Sequence, residues 1–155
     1  MATPQEFLSE LESLAQLDVD AVHAYTAAIQ RITLPAVQQQ LRLFREDHER
    51  HIADLAPLIE RFGGKVPTRS PDFKGFFITG FTAIRSMMSN EQALKAMRSN
   101  EETTNDAYAK ALECDFPADI REVVERNRED ERRHLAYVNG CLDEKIWERP
   151  EADAA

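Results

Sequence analysis

The stretch REDHERHIADL at residues 45–55 returns 83 positions later as REDERRHLAYV at residues 128–138. The same ungapped shift lays AYTAAI (24–29) on AYAKAL (107–112), Asp18 on Glu101, Tyr25 on Tyr108 and His51 on His134. A single offset that aligns two separate stretches makes the chain two copies of one unit. Apolar residues in each copy recur at steps of three and four, the period of an amphipathic helix. Each copy therefore reads as a helical hairpin that cannot bury its apolar stripe alone, and the pair as a four-helix bundle with an approximate twofold axis.

Helix signals set the boundaries at about 4–33, 36–62, 90–114 and 119–146. Thr3, Pro4 and Glu6 form an N-terminal cap signature, Pro35 marks a short turn, and Gly63 with Gly64 stops the second helix. Asp119 is the expected cap of the fourth. The inward rows are Leu8, Leu11, Ala15, Asp18, Val22, Tyr25, Ile29 and Ile32 on the first helix and Val37, Leu41, Phe44, His48, His51, Leu55, Leu58 and Phe62 on the second. On the third they are Leu94, Met97, Glu101, Thr104, Tyr108 and Ala111, and on the fourth Ile120, Val124, Asn127, Glu131, His134, Val138 and Cys141. Residues 63–89 make a crossover long enough to run the second and third helices parallel, and its apolar middle reads as a short helix. One domain over 1–148 is expected, with a flexible tail at 149–155.

Only 5 Gly and 7 Pro in 155 residues favour helix throughout. A net charge of −9 without a basic stripe argues against nucleic acid as a partner. No apolar run approaches the roughly 20 residues of a membrane span, and the first residues lack a signal-peptide pattern. Cys114 and Cys141 match no zinc spacing and make no disulfide framework, so a cytoplasmic setting is expected.

Each seam is interrupted by polar residues at the same depth: Asp18, then His48 with His51, then Glu101, then Glu131 with His134. Three carboxylates and three imidazoles at one level of a core must pair, neutralise or bind a cation. Hard carboxylate mixed with borderline imidazole suits iron, manganese or zinc better than calcium or copper(I). The remaining charges of REDHERHIADL (Arg45, Asp47, Glu49, Arg50 and Asp54) read as a solvated face held by i, i+4 pairs. Asp20, His23 and Asp106 read as surface, Tyr25, Tyr108, Met87, Met88 and Met97 as core, and Glu102 as a register alternative to Glu101.

DERRHLAYV (130–138) is similar to the Asp-Glu-x-x-His element on the fourth helix of the ferritin-like superfamily. LAQLDVDAVHAY (14–25) and NEETTNDAY (100–108) resemble the helices in which an acidic ligand precedes a tyrosine by seven residues. The chain thus resembles that superfamily over roughly 5–62 and 91–142, with helix spacing near that of bacterioferritin and rubrerythrin. The resemblance implies an all-α, ferritin-like four-helix bundle around a non-haem iron site of one or two ions. Asp18 and Glu101 are then terminal carboxylates, His51 and His134 terminal imidazoles, and Glu131 a bridge. One departure stands out: His48 occupies the place of the family's second bridging glutamate and becomes an added terminal ligand. The implied role is iron handling, or oxidation of ferroxidase or peroxidase type. A metal-free bundle serving as a structural or stress-related interaction module stays open, as does a zinc or iron hydrolase or hydroxylase with a pocket under residues 70–89. Nothing after the fourth helix resembles the extra helix of cage ferritins, so a monomer or small homo-oligomer is expected, FFITGF (76–81) offering a dimer contact.

Overall fold

The structure, a computed structural model, describes residues 1–68 and 89–150. Among the described residues there are four long helices: α1 (Pro4–Arg31), α2 (Pro35–Arg61), α3 (Asn90–Ala111) and α4 (Ala118–Asp143). A 3-10 turn at Ile146–Glu148 follows α4. The short helix expected in the crossover, FFITGF, Met87 and Met88 lie outside the described residues.

Local chemistry explains the helix ends. Thr3 accepts from the Glu6 backbone N–H (3.3 Å) while the Glu6 carboxylate accepts from Thr3 N–H (2.6 Å), a reciprocal capping box ahead of Pro4. Ser89 caps α3 by accepting from the Gln92 backbone N–H at 3.1 Å. Gly63 leaves α2 at φ 77°, in the left-handed region that favours glycine. The cap of α4 differs from expectation: Pro117 takes that position, and Asp119, inside the helix, pairs with Arg61 at 2.7 Å. A proline there already sets an extended entry, which frees the carboxylate for a neighbouring helix.

α1 packs along α2 and α3 along α4, and the hairpins meet through α1 with α3 and α2 with α4. The Thr33 backbone N–H donates to Asn90 Oδ1 at 2.8 Å, bringing the end of α1 to the start of α3. The Arg61–Asp119 pair likewise joins the end of α2 to the start of α4. Helices α2 and α3 therefore run parallel, and each hairpin lies antiparallel to its neighbour.

Two apolar clusters fill the bundle. One gathers Tyr25, Leu41, Phe44, Leu94, Met97 and Val138, and the other Leu11, Leu14, Leu55, Tyr108, Ile120 and Val124. Val22 and Phe62, placed in the seams by periodicity, are only half-buried, whereas Asp20, expected on the surface, is buried and accepts from Gln16 at 3.1 Å. Between the clusters lies the polar layer.

Candidate metal centre

Asp18, His48, His51, Glu101, Glu131 and His134 are all buried and stand together in that layer. Glu101 is the inward residue of its pair, for Glu102 is exposed. The i, i+3 spacing stacks His51 over His48 and His134 over Glu131, so α2 and α4 each present two donors on one face.

The six residues make two overlapping sets of four. Asp18, His48, His51 and Glu131 offer one ligand atom each, all within 4.8 Å of one another, and so do His48, Glu101, Glu131 and His134. In the first set His48 Nδ1 lies 2.8 Å from Asp18 Oδ1 and 3.3 Å from Glu131 Oε1, with His51 Nδ1 3.1 Å from the same Glu131 oxygen. In the second, His134 Nδ1 stands 3.5 Å from Glu131 Oε2 and 3.9 Å from Glu101 Oε2, and His48 Nε2 lies 4.0 Å from Glu101 Oε1. His48 and Glu131, equivalent under the 83-residue shift, each face both sets. His48 therefore holds a shared position, not a place at one end.

The twofold relation is written in exchanged hydrogen bonds. The Tyr108 hydroxyl donates to Asp18 at 2.6 Å, and the Tyr25 hydroxyl donates to Glu101. His51 Nε2 lies 3.0 Å from Asp130 Oδ2, and His134 Nε2 lies 2.9 Å from Asp47 Oδ2. Arg50 reaches both Asp130 and Asp47, and Arg133 reaches Asp47 (2.9 Å) and Asp130 (3.0 Å). Each inner histidine is thus oriented by an aspartate of the other hairpin, which leaves its Nδ1 toward the centre. Asp47 and Arg50, read from sequence as solvated charges, belong instead to this support. Their signal was present in the repeat, where Asp47 aligns with Asp130 and Arg50 with Arg133.

Electrostatics follow from burial against mutual pairing. Burial opposes a charged His48, but Glu131 and Asp18 outweigh it and push its pKa up to about 10. Burial likewise opposes charge on His51, and Asp18 and Asp130 carry its pKa up to about 11. Glu131, despite burial that favours the neutral acid, is held well below the carboxylate range by His48 and His134. Burial, ahead of any partner, raises Glu101 above its ordinary value. Both tyrosines are raised by burial and by the adjacent carboxylate, Glu101 for Tyr25 and Asp18 for Tyr108, so they remain neutral donors.

Internal pairing does not satisfy the layer. Both Glu131 oxygens, Glu101 Oε2, His48 Nε2 and His134 Nδ1 are buried without a well-directed hydrogen bond, although histidine nitrogens stand 3.1–3.5 Å from Glu131. Every member of the second set carries such an atom, and these atoms converge. Unpartnered carboxylate oxygens and ring nitrogens in a core fit a cation among them. Among the described residues no helix is long and apolar enough to cross a membrane.

A solved structure of Desulfovibrio desulfuricans bacterioferritin, described as showing the diiron site in different catalytic states, is similar to this chain. The two share 17% identity at a TM-score of 0.74, over 100% of this chain and 92% of the other. At that identity the likeness establishes the fold, which is the ferritin-like bundle. No curated protein matches the chain in sequence. A family profile described as "Domain of unknown function (DUF2383)" matches residues 6–114, which span α1, α2, the crossover and α3. With more than half of its length matched, this ferritin-like chain belongs to the DUF2383 family.

Proposed function

We propose that the chain is a metal-binding protein whose centre takes one or two iron ions and serves iron handling or oxidation chemistry. The convergence of unpartnered, buried donor atoms from His48, Glu101, Glu131 and His134 carries this reading. Glu101, His134, His48 and Glu131 would hold one ion, and Asp18, His51, His48 and Glu131 a second. Iron held there supplies one-electron chemistry between its ferrous and ferric states, with the carboxylates favouring the higher charge. The protein's own part is orientation: Asp47 and Asp130 fix the histidine rings, and Tyr108 and Tyr25 fix the outer carboxylates. The flanking apolar clusters restrict water around the donors. The diiron site described for the bacterioferritin structure on the same fold supports the choice of iron.

Elemental analysis of protein produced with iron supplied tests the reading. Metal bound by the native chain and lost in Glu131→Ala and His134→Ala is the expected result. A native chain that takes up neither ferrous iron, manganese nor zinc overturns it in favour of a metal-free scaffold.

A further inference from the structure

Every donor of the centre is at most 1% exposed, so an ion reaches it only where the bundle opens along a seam between helices. Two seams place carbon near their surface grooves. The groove between α1 and α2 includes Val19, Val22 and Ile52, and that between α1 and α3 includes Leu14, Leu17 and Ala107. Apolar side chains offer nothing to a cation that leaves water. The seam between α3 and α4 is stitched by Asn105, whose Nδ2 donates to the backbone carbonyls of Glu101 (2.8 Å) and Glu131 (2.9 Å).

The seam between α2 and α4 differs, because charged groups run through it from solvent to the histidines. A surface groove there includes Phe44, Asp47, Arg50 and Arg133, and the Phe44 ring lies 4.2 Å from the His134 ring. Asp47 Oδ2 lies 2.9 Å from the Arg133 guanidinium and 2.9 Å from His134 Nε2. Asp130 Oδ2 likewise accepts from Arg50 and lies 3.0 Å from His51 Nε2. Each of these carboxylate oxygens therefore stands between a surface cation and a candidate ligand. The same Arg50 nitrogen also reaches Asp47 Oδ1 at 3.1 Å, and the same Arg133 nitrogen reaches Asp130 Oδ1 at 3.0 Å. Each guanidinium thus occupies a cation's place between the two aspartates. The side chains of Arg50 and Arg133 are 42% and 59% exposed, against 21% and 11% for Asp47 and Asp130. The arginines can swing into water, whereas the aspartates stay at the mouth of the seam.

We propose that a divalent metal ion enters between α2 and α4, and that Arg50 and Arg133 are displaceable plugs for which the ion exchanges on Asp47 and Asp130 before passing inward beside His134 or His51. The assignment rests on the metal-binding reading and adds a route to it. Exchange puts one cation in place of another between the same two carboxylates, so neither is left partly buried and uncompensated while the ion passes. Exposed ion pairs of this kind are weak enough to open and reclose.

Cobalt(II) serves as the probe metal, because its visible spectrum changes when it is coordinated. Uptake by the metal-free chain is followed after rapid mixing, and release by mixing the loaded chain with excess chelator. Arg50→Gln and Arg133→Gln remove a charge at an exposed position, and each is expected to speed uptake about fivefold, with release speeded as well. Arginines that only steady the aspartates give faster release without faster uptake, and that result overturns the route. Thr3→Ala, which loosens the start of α1, is expected to keep the native uptake rate. Uptake as fast in Thr3→Ala as in the arginine variants assigns the effect to general loosening and overturns the route. Uptake unchanged or slowed in both arginine variants also overturns it, and leaves the metal reading standing. A native chain that takes up no cobalt(II) overturns both.

Discussion

His48 turns Nδ1 toward Asp18 and Glu131 and Nε2 toward Glu101, so its single ring serves both donor sets. With histidine here the layer holds Asp18, Glu101 and Glu131 as its carboxylates, one short of the charge that balances two divalent ions. His48→Glu supplies that charge, and metal retained per chain after dialysis against a weak chelator should rise; an unchanged count would show that charge is not limiting. A second test concerns the support around the rings. Asp47 and Asp130 orient His134 and His51, and Asp47→Asn or Asp130→Asn should each weaken metal binding by roughly 10–100-fold. Glu49→Gln, on the exposed face of the same helix, serves as the control in the same titration.

At the scale of the element, the depth of each candidate ligand depends on where its helix begins and ends. The Thr3–Glu6 box anchors α1, the helix that carries Asp18. Thr3→Ala should cost about 1 kcal/mol of stability by denaturant unfolding, without changing metal stoichiometry. The end of α2 is held more tightly. A Cβ on Gly64 would fall 2.3 Å from Leu8 Cδ1 and 2.9 Å from Ile59 Cγ2, so those side chains must shift to admit one. Gly64→Ala should destabilise by roughly 1–3 kcal/mol as overpacking at the α1–α2 contact, read as a lowered denaturation midpoint.

The whole molecule draws donors from all four helices, so a metal bound there ties the two hairpins together. At about 100 times its Kd such a ligand adds about 2.7 kcal/mol to stability, and chelator should reverse the rise in Tm. The metal-free chain should respond to pH through its own pairing. The folded-state pKa values of His48 and His51 are raised from 6.5, to about 10 and about 11, so their contribution is complete below pH 6.5 and lost as pH climbs through those values. Glu131 is lowered from 4.5, so its contribution is complete above pH 4.5 and lost as pH falls below that. Thermal unfolding in chelator should therefore show greatest stability between pH 4.5 and 6.5, with Tm declining on the alkaline side. The metal's own stabilisation should grow with pH over the same range, because it must displace the histidine protons.

Repeat and periodicity by themselves determined the four helices, their pairing as two hairpins and the shared depth of Asp18, His48, His51, Glu101, Glu131 and His134. These are consequences of spacing along one chain, and a helix converts spacing into direction and height. Helix ends were less legible: Asp119 looks like a cap in sequence, yet Pro117 sets the entry and Asp119 reaches across to Arg61. Partners across the bundle were legible only as repeat matches, Asp47 on Asp130 and Arg50 on Arg133, which do not say what each side chain touches. Asp47 and Arg50 carry the same pattern as any solvated charge. Only the packing of α2 against α4 turned Asp47 to His134 and gave Arg50 two aspartates. Periodicity specifies the face of its own helix, whereas the identity of the neighbour depends on how two helices are rotated and set against each other, which the tertiary structure alone decides.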